Sequence, residues 1–421
     1  MAGASLSRRR LLGLAGAGLL VPRGPAWGAT TERRFLFVYC RGGWDPTAVL
    51  LPKQGDPGFD TEADAQARTV GDLAYTDHPE RPSVARFFEA HGARCCILNG
   101  FEVRSVTHER CRQLLLAPSA DDDWAAVLAA HARTAPLLPH VVLSGPAYTA
   151  QWTDQVVRVG SQGQLTELLD GTAFWASDLP VQLPPQALLD PVDAYVRQLA
   201  SDASAAAADA RAQTLADGYG TSLDVLAALQ DRGGLHLTPQ TAGCMRDLAA
   251  DCSAALDLFS QGLARTAMVE FNGWCDQSWD THQDNAQQSL HWETLFDGLD
   301  QAVADLDRRV GSTGAPLADE VVLVVISEMG RAPRLNSLAG KDHWTFTSAL
   351  VMGPGVRGGQ VIGDLDTEGI GVPIDLVSGE TSDHGTGLVP GHLGASLLAL
   401  GDVDPGPWVA EGVTAIEAML G

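Results

Sequence analysis

The sequence predicts an α/β protein, a three-layer α/β/α fold with a mostly parallel central sheet, and two observations carry that prediction. Strand-like segments alternate with helical patterns along the chain, and several strands are continuous apolar runs rather than alternating ones. Continuous runs are typical of strands that helices cover on both faces, as in a parallel sheet. The length of 421 residues suits one large domain with an inserted subdomain.

The first half of the chain contains three predicted strands. The run "RFLFVYC" begins at Arg34 and is followed by Gly42 and Gly43, which indicate a tight turn. A short helix in "SVARFFEAHG" precedes a strand from Cys95 to Leu98, and "PHVVLSGPA" predicts a third strand and its turn.

The second half repeats this alternation. A strand near 267–271 precedes a long amphipathic pattern over 290–309, which predicts a helix. The run "DEVVLVVIS" is the clearest strand of all, and "TSALVMG" follows it as another. A short helix is predicted to close the chain at 402–421.

Residues 186–265 differ from the rest of the chain. They are alanine-rich, with helical spacing and no strand pattern. We predict a helical subdomain or cap here, inserted into an α/β core formed by 30–185 and 266–421. The alternative is that these residues form longer connecting helices within the core.

The first 29 residues predict an export signal. Three arginines at 8–10 precede an apolar stretch over 11–21, and small residues lie near position 28. That order is typical of a removable signal peptide, and "SRRRLL" resembles the twin-arginine type. We expect the mature chain to be periplasmic or extracellular and to lack a transmembrane segment, since the apolar stretch is too short to span a bilayer. The alternative is a disordered start in which the arginines occur by chance.

The charge disfavours one class of partner. The formal net charge is −24, and no basic stripe interleaved with aromatic residues is present. Nucleic-acid binding requires such a basic surface, so we expect no nucleic-acid partner.

The seven cysteines do not predict a zinc–thiolate site, because their spacings match none and no CxxC pair occurs. No disulfide is expected. Cys95 and Cys96 lie in an apolar run, and at least one should be buried. Cys244 and Cys252 are eight residues apart in a helical pattern and could meet on one face.

Polar side chains follow four of the predicted strands. Because ligands bind beyond the carboxyl ends of strands in open parallel sheets, we expect these side chains to lie at one edge. A lone Asp after a strand is usually a helix cap, but four such loops favour a site. The candidates are Asp45 after the first strand, then Ser105, Thr107, His108 and Glu109, then Asp276, Asp280, His282 and Asp284, and finally Glu328, Asp342 and His343.

These residue types indicate a metal site. Carboxylates and imidazoles without thiolates suit zinc, manganese, magnesium or calcium. Two clusters would suit a pair of ions about 4 Å apart, which stabilise the attacking and leaving oxygens of a displacement. We therefore predict one or two divalent metal ions.

Five segments in order resemble the DUF1501 family, which belongs to the alkaline phosphatase, sulfatase and phosphoglycerate mutase superfamily. They are "RGGWD", "GWCDQSWDTH", "SEMGRAPRLN", "GKDHW" and "GPGVRGGQVIGD". The resemblance covers nearly all of the predicted mature chain, most closely 35–45 and 270–365. It implies an alkaline phosphatase-like fold.

The resemblance also implies a set of metal ligands, namely Asp45, Asp280, His282, Glu328, Asp342 and His343. Asp45 matches the first-strand ligand of the superfamily, and "DTH" at 280–282 matches ligands of the other metal. Met329 follows Glu328 where relatives carry histidine, so the resemblance leaves two alternatives: Asp342 and His343 supply that ligand, or His343 is the late histidine of the set.

The hydroxyl nucleophile of the superfamily lies at a helix start after the second strand. That position corresponds to Thr107, beside His108, and Ser105 is the reserve. We expect Thr107 and His108 to be catalytic. Arg331 is expected to bind an anionic oxygen of the substrate, and Arg41 is a weaker candidate.

These features predict an exported metal-dependent hydrolase of phosphate or sulfate esters. A hydroxyl or a metal-bound water would attack a small anionic ester. The alternative is an exported, non-catalytic binding or assembly protein that retains the fold. A mutase-type phosphotransferase fits an exported protein poorly.

Overall fold

The computed structural model describes residues 32–117, 121–159, 165, 184–232, 237 and 240–421. The predicted export signal at 1–29 lies outside these ranges and stays a prediction.

The described residues form strands and helices with the following bounds. The strands are β1 (Arg34–Cys40), β2 (Gln66–Val70), β3 (Leu73–Asp77), β4 (Cys95–Glu102), β5 (His140–Val142), β6 (Val156–Arg158), β7 (Thr241–Ala242), β8 (Met245–Arg246), β9 (Thr266–Phe271), β10 (Val321–Ser327), β11 (Gly330–Arg331), β12 (His343–Trp344), β13 (Phe346–Met352) and β14 (Gln360–Ile362). The α-helices are α1 (Pro82–His91), α2 (His108–Leu116), α3 (Trp124–Ala130), α4 (Gln186–Ala205), α5 (Ala210–Arg232), α6 (Leu248–Ser260), α7 (Gln288–Leu306) and α8 (Pro390–Leu400).

The central sheet has the strand order β14-β4-β13-β10-β1-β9-β5-β6. Strand β1 pairs in parallel with both β10 and β9, so that Val38 lies opposite Val325 on one side and Val269 on the other. Strands β5 and β6 continue in the same direction, whereas β13 runs antiparallel between β10 and β4. In the described part of this sheet β13 alone runs against the others, and the mostly parallel sheet predicted from the sequence is confirmed.

Helices cover both faces of this sheet, and this explains the continuous apolar runs. Along β1, alternate side chains enter two different hydrophobic clusters. Helices α1, α6 and α7 pack on the face with Leu36, Val38 and Cys40, and helices α2, α3 and α8 pack on the face with Phe35, Phe37 and Tyr39. The predicted α/β/α layering is therefore confirmed.

Three buried tryptophans connect the loops at the carboxyl edge of the sheet. Trp44 stacks on Trp292 with ring centroids 5.0 Å apart, and Trp279 meets Trp292 edge-on at 4.8 Å. Trp44 follows β1, Trp279 follows β9, and Trp292 lies on α7. Aromatic pairs of this kind contribute about 0.5–1.5 kcal/mol beyond area burial, so the cluster fixes where these loops sit.

The predicted closing helix at 402–421 is wrong. Helix α8 ends at Leu400, and the described tail contains only 3₁₀ turns at Gly406–Trp408 and Glu417–Met419. Two prolines, Pro405 and Pro407, fall where the helix would run, and proline breaks helical hydrogen bonding.

The alanine-rich segment contains the helical structure expected of it. Helices α4 and α5 pack against each other, whereas α6 packs in the core with α7 and β9. The boundaries of an inserted subdomain stay a prediction. Within the described ranges, no helix has the length and apolarity needed to cross a membrane.

One disulfide joins Cys244 to Cys275, with their Cα atoms 4.8 Å apart. No disulfide was expected from the sequence, and this bond corrects that expectation. The suggestion that Cys244 and Cys252 meet on one helical face is also wrong. Cys244 lies in the β7–β8 turn before α6 begins, so it shares no helical face with Cys252, which is a buried free thiol. Cys95 and Cys96 are both buried, as predicted for at least one of them.

Candidate metal centre

The sheet topology brings four loops to one edge. Strands β1, β4, β9 and β10 run in the same direction, so the loops that follow them share the carboxyl edge of the sheet. The antiparallel strand β13 begins at that edge, which places His343 and Trp344 there as well. The predicted site loops therefore converge in space.

The carboxylate of Asp280 lies at the centre of a histidine cluster. Its Oδ1 atom is 3.1 Å from Nε2 of His343 and 3.2 Å from Nε2 of His282, and its Oδ2 atom is 3.3 Å from Nε2 of His108. Ligand atoms of His108, Asp280 and His343 all lie within 4.8 Å of one another. Three imidazoles thus present the same ring nitrogen to one carboxylate.

The other nitrogen of each ring faces an acceptor. An acceptor at Nδ1 favours a proton there, which leaves Nε2 of the neutral imidazole with its lone pair. Metal-binding histidines are usually oriented in this way by carboxylates or backbone carbonyls. The pairs are His108 with Glu328 Oε1 at 2.9 Å, His282 with Asp342 Oδ1 at 3.1 Å, and His343 with the carbonyl of Val106 at 2.6 Å.

Two features of this cluster fit a bound cation. Nε2 of His108 is buried and has no aligned hydrogen-bond partner among the described residues, although it is 3.3 Å from Asp280. Nε2 of His282 lies 2.9 Å from Nε2 of His343, and two lone pairs facing each other at that distance repel. A cation shared by these nitrogens and Asp280 would satisfy all of them.

The electrostatics also favour a positive charge at this point. Without a cation, the carboxylates of Asp280 and Glu328 raise the pKa of His108 to about 9, so Nε2 then carries a proton that a bound cation would displace. Burial alone would raise the pKa of Asp280, but His108, His343 and Arg331 outweigh burial and hold that pKa well below its usual range. Asp280 therefore stays ionised.

Glu328 lies behind His108. Its side chain is fully buried, and Oε1 accepts hydrogen bonds from the backbone N–H of Gly42 at 2.8 Å and from His108. Gly42 has φ +121°, and a Cβ there would lie 2.6 Å from the backbone nitrogen of Trp279, so this position requires glycine. Glu328 was predicted as a metal ligand, but in this geometry it orients His108.

Asp342 holds His282 in a similar way. The side-chain amide of Asn336 donates to Asp342 Oδ1 at 3.1 Å and to the carbonyl of His282 at 3.0 Å. Hydrogen bonds from Asn336 and His282 lower the pKa of Asp342. Asp342 was also predicted as a ligand, but its carboxylate contacts Nδ1 of His282, the ring nitrogen that faces away from Asp280.

The carboxylate of Asp45 contacts other side chains and not the histidine cluster. Its Oδ2 accepts from Lys341 Nζ at 2.7 Å and from Asn285 at 2.9 Å, while Oδ1 accepts from Thr47 Oγ1 at 2.7 Å and also from the Thr47 backbone N–H. Burial opposes ionisation, but Lys341 outweighs it and lowers the pKa of Asp45. Asp45 was predicted as a ligand, and the structure instead shows a turn cap in a buried ion pair.

Arg331 was predicted to bind substrate, but its side chain is fully buried. It donates to the carbonyl oxygens of Gly42, of Gly43 at 2.7 Å and of Lys341 at 3.2 Å, and to Asp280 Oδ1 at 2.7 Å. All of these partners are protein groups, so the guanidinium anchors Asp280 and the surrounding loops rather than contacting a substrate.

Thr107 is the exposed N-cap residue of α2. Its Oγ1 atom lies 3.4 Å from Ser105 Oγ, and Val106 between them accepts the hydrogen bond of His343. The predicted hydroxyls are thus held beside the cluster. Arg41, half-exposed at the end of β1, lies 3.9 Å from Glu270.

Position 329, where relatives carry a histidine, supplies no ligand in this chain because it is occupied by methionine. Its side chain is fully buried and packs with Val103 and Cys111 beneath the loops. The imidazoles come instead from three separate loops. The sequence reasoning missed the Lys341–Asp45 pair and the Val106 carbonyl; the lysine in "GKDHW" was a signal for the first, because a buried lysine needs a carboxylate partner.

Fold and cluster together define an α/β protein with three histidines and one carboxylate at the carboxyl edge of its sheet. The chain belongs to the DUF1501 family, described as a protein of unknown function, whose pattern matches residues 32–381. The family resemblance predicted from the sequence is thereby confirmed.

Other comparisons add little. No curated protein matches the chain. Among solved structures, it is similar to the phosphonate monoester hydrolase of Agrobacterium radiobacter, with 10% identity over 79% of this chain and 71% of that chain and a TM-score of 0.30. So weak a likeness carries no argument about the site, and the superfamily assignment stays a prediction.

Proposed function

We propose that this chain is a metal-dependent hydrolase of phosphate or sulfate esters that binds one divalent cation. His108, Asp280 and His343 are the proposed ligands, with His282 as a fourth. The observation that carries the proposal is the convergence of three imidazole Nε2 atoms on the Asp280 carboxylate, each ring being oriented through Nδ1.

The donor set favours zinc among the predicted ions. Magnesium and calcium prefer oxygen ligands, whereas imidazole nitrogen suits zinc and other transition metals. Catalytic zinc sites commonly use three protein ligands and leave the remaining position to water or substrate. His282 is the most exposed of the three histidines, with 42% of its side chain accessible, so it is the ligand that a substrate would displace most easily.

When bound, such a cation polarises a phosphoryl or sulfuryl oxygen of the ester. The protein residues orient the reactants. Arg331 and the ring contacts of Asp280 fix the carboxylate, and Glu328 fixes His108. The hydroxyl of Thr107 or a water molecule is the proposed nucleophile, and Arg41 is the accessible arginine proposed to contact the anionic group.

A second function, non-catalytic binding or assembly, is favoured by one observation. The Thr107 hydroxyl faces Ser105 Oγ at 3.4 Å rather than an imidazole that could accept its proton. A site closed by four protein ligands would also resemble a structural zinc site. In that function the cation would hold the loops together without turnover.

Export by the twin-arginine route to the periplasm or the outside of the cell is part of this proposal. It is supported by the arginines at 8–10 and the apolar stretch that follows them. Replacing Arg8 and Arg9 with lysine should leave the precursor inside the cell, and normal export of that variant would contradict the proposed route.

The proposal is tested by elemental analysis of the purified protein, followed by a screen of phosphate and sulfate esters. We expect about one zinc ion per chain, lost in His343→Ala because an imidazole proposed to bind the ion directly is removed. His384→Ala, which removes an exposed histidine outside the cluster, is the matched control and should keep the ion.

Ester hydrolysis that requires the ion would support the hydrolase. A bound ion without hydrolysis of any ester would favour the binding function. Absence of a bound ion after reconstitution with zinc and manganese would overturn both.

A further inference from the structure

The loop that carries Asp280 has an unfavourable backbone. Cys275, Asp276 and Ser278 have φ values of +51°, +55° and +66°, and all three bear side chains. Residues other than glycine rarely adopt this left-handed region, because Cβ then crowds the backbone. Contacts from outside the loop must therefore maintain its conformation.

Noncovalent contacts hold the two ends of the loop. At its start, the backbone N–H of Trp274 donates to His291 Nδ1 at 2.8 Å. At its end, Trp279 is fully buried in the tryptophan cluster, and its N–H donates to the carbonyl of Arg41 at 3.0 Å. The left-handed residues lie between these anchors. Within the loop, the Asn272 amide donates to the carbonyl of Asp276 at 3.0 Å, and the Ser278 N–H donates to the carbonyl of Asn272 at 2.7 Å.

The disulfide holds the middle of the loop. Cys275, the first of the left-handed residues, is bonded to Cys244 in the turn of the β7–β8 hairpin. Strand β8 packs against the 3₁₀ turn Trp274–Asp276. The covalent bond therefore acts at the strained residue itself, five positions before the proposed ligand Asp280.

We propose that the Cys244–Cys275 disulfide is a positioning element of the metal centre. It keeps the loop in its left-handed turn, so that Asp280 faces His108 and His343. The effect on cation binding rests on the proposed function, whereas the effect on the loop does not. The affinity of the site for a divalent cation consequently depends on the oxidation state of these two cysteines.

A pair of double variants tests this proposal. Cys244→Ser/Cys275→Ser removes the bond and keeps a side chain at the strained position. Cys244→Ser/Cys275→Gly removes the bond and also the strain at position 275, because glycine adopts positive φ freely. Three quantities are measured for each protein: hydrogen exchange of peptides covering 272–282 and 321–327, zinc affinity by competition with a chromophoric chelator, and the unfolding midpoint.

We expect the serine pair to exchange faster in 272–282, with β10 at 321–327 unchanged, and to bind zinc about tenfold more weakly, as when an orienting contact is lost. The glycine variant should recover part of that affinity. A disulfide with a purely stabilising role would lower the unfolding midpoint of both variants and leave loop exchange and zinc affinity as in the parent; that result would overturn the proposal.

Failure of the proposed function gives a different pattern. If the parent protein binds no zinc while the serine variant still exchanges faster in 272–282, the metal proposal fails and the role of the disulfide in ordering the loop is supported. If the variants do not fold, reduction of the folded parent with a phosphine replaces them. Unchanged exchange of 272–282 after reduction would overturn the inference.

Discussion

The two edges of the central sheet use buried charge in opposite ways. At the amino edge, Arg34 pairs with Glu320 at 3.2 Å, and Arg265 lies 3.6 Å from Glu32 and donates to the carbonyls of Leu128 and Gly401. These arginines are held by acceptors within the protein. At the carboxyl edge, three imidazoles converge on the Asp280 carboxylate, and Nε2 of His108 has no aligned hydrogen-bond partner among the described residues.

This difference separates a structural from a functional use of polar groups. A buried charge costs free energy unless its hydrogen-bonding capacity is filled, so structural pairs are complete within the protein. A binding site must keep some of that capacity for its ligand. The carboxyl edge is the proposed site because three imidazole nitrogens converge there on one carboxylate. An unpaired nitrogen alone does not identify a site, since Nε2 of the buried His140 at the amino edge also has no partner among the described residues.

The largest expected effect is a loss of stability from a substitution at the amino edge. Arg34→Met should lower the free energy of unfolding by about 3–5 kcal/mol, because Glu320 is left buried without its partner. The zinc content of the folded fraction should remain that of the parent. Chemical denaturation and elemental analysis check these two results, and a variant that loses the ion while fully folded would contradict the separation of the edges.

Lys341→Met tests the assignment of Asp45. Both side chains are buried, so this change should also destabilise the protein by about 3–5 kcal/mol. If Asp45 is structural, the folded protein should bind no additional ion. A second ion per chain in Lys341→Met would show that Asp45 can act as a ligand once the lysine is removed, as the sequence predicted.

Glu328→Gln should have a smaller effect, confined to the carboxyl edge. The amide keeps the shape of the carboxylate but loses the charge that orients His108, so zinc affinity should fall about tenfold. Competition with a chelator measures it. Glu270→Gln, a change at a neighbouring carboxylate on β9, is the control. Glu270 lies 3.9 Å from Arg41 and is not one of the residues described as orienting the histidines, so zinc affinity should stay within about twofold of the parent.

A pH dependence of stability is expected at the amino edge. His140 is fully buried at the start of β5, and burial lowers its pKa to about 4, from about 6.5 when unfolded. The folded state therefore disfavours protonation, and stability is complete above about pH 6.5 and falls as the pH drops towards 4.

His140→Gln should flatten this pH dependence by up to about 1.4 kcal/mol per pH unit. Denaturation of the metal-free protein between pH 4 and 7 provides the measurement. The same slope in parent and variant would exclude His140 as its source.

Much of the fold was predictable because the information is local. The apolar runs at 34–40 and 321–327 could only be buried strands, and the tail at 402–421 was misassigned although its prolines are visible in the sequence. The antiparallel direction of β13 was not predictable, since strand direction depends on how the connection from β10 returns to the sheet.

For the proposed site, the sequence indicated loops that the structure brings to one edge, but not the position of each side chain. Asp280, His282, His343 and His108 were all among the candidates, because carboxylates and imidazoles after parallel strands must share an edge. A difference of a few ångströms decides whether Glu328 contacts a cation or Nδ1 of His108. Residue type and sequence spacing do not determine that distance.

By itself, then, the sequence determined the α/β class, the edge at which the candidate polar residues meet and the family to which the chain belongs. Tertiary structure decided which polar groups find hydrogen-bond partners within the protein. Lys341 pairs with Asp45, and backbone carbonyls accept from Arg331, whereas Nε2 of His108 has no aligned partner among the described residues. The reason is physical: hydrogen-bond saturation depends on groups distant in the chain, and only folding brings them together.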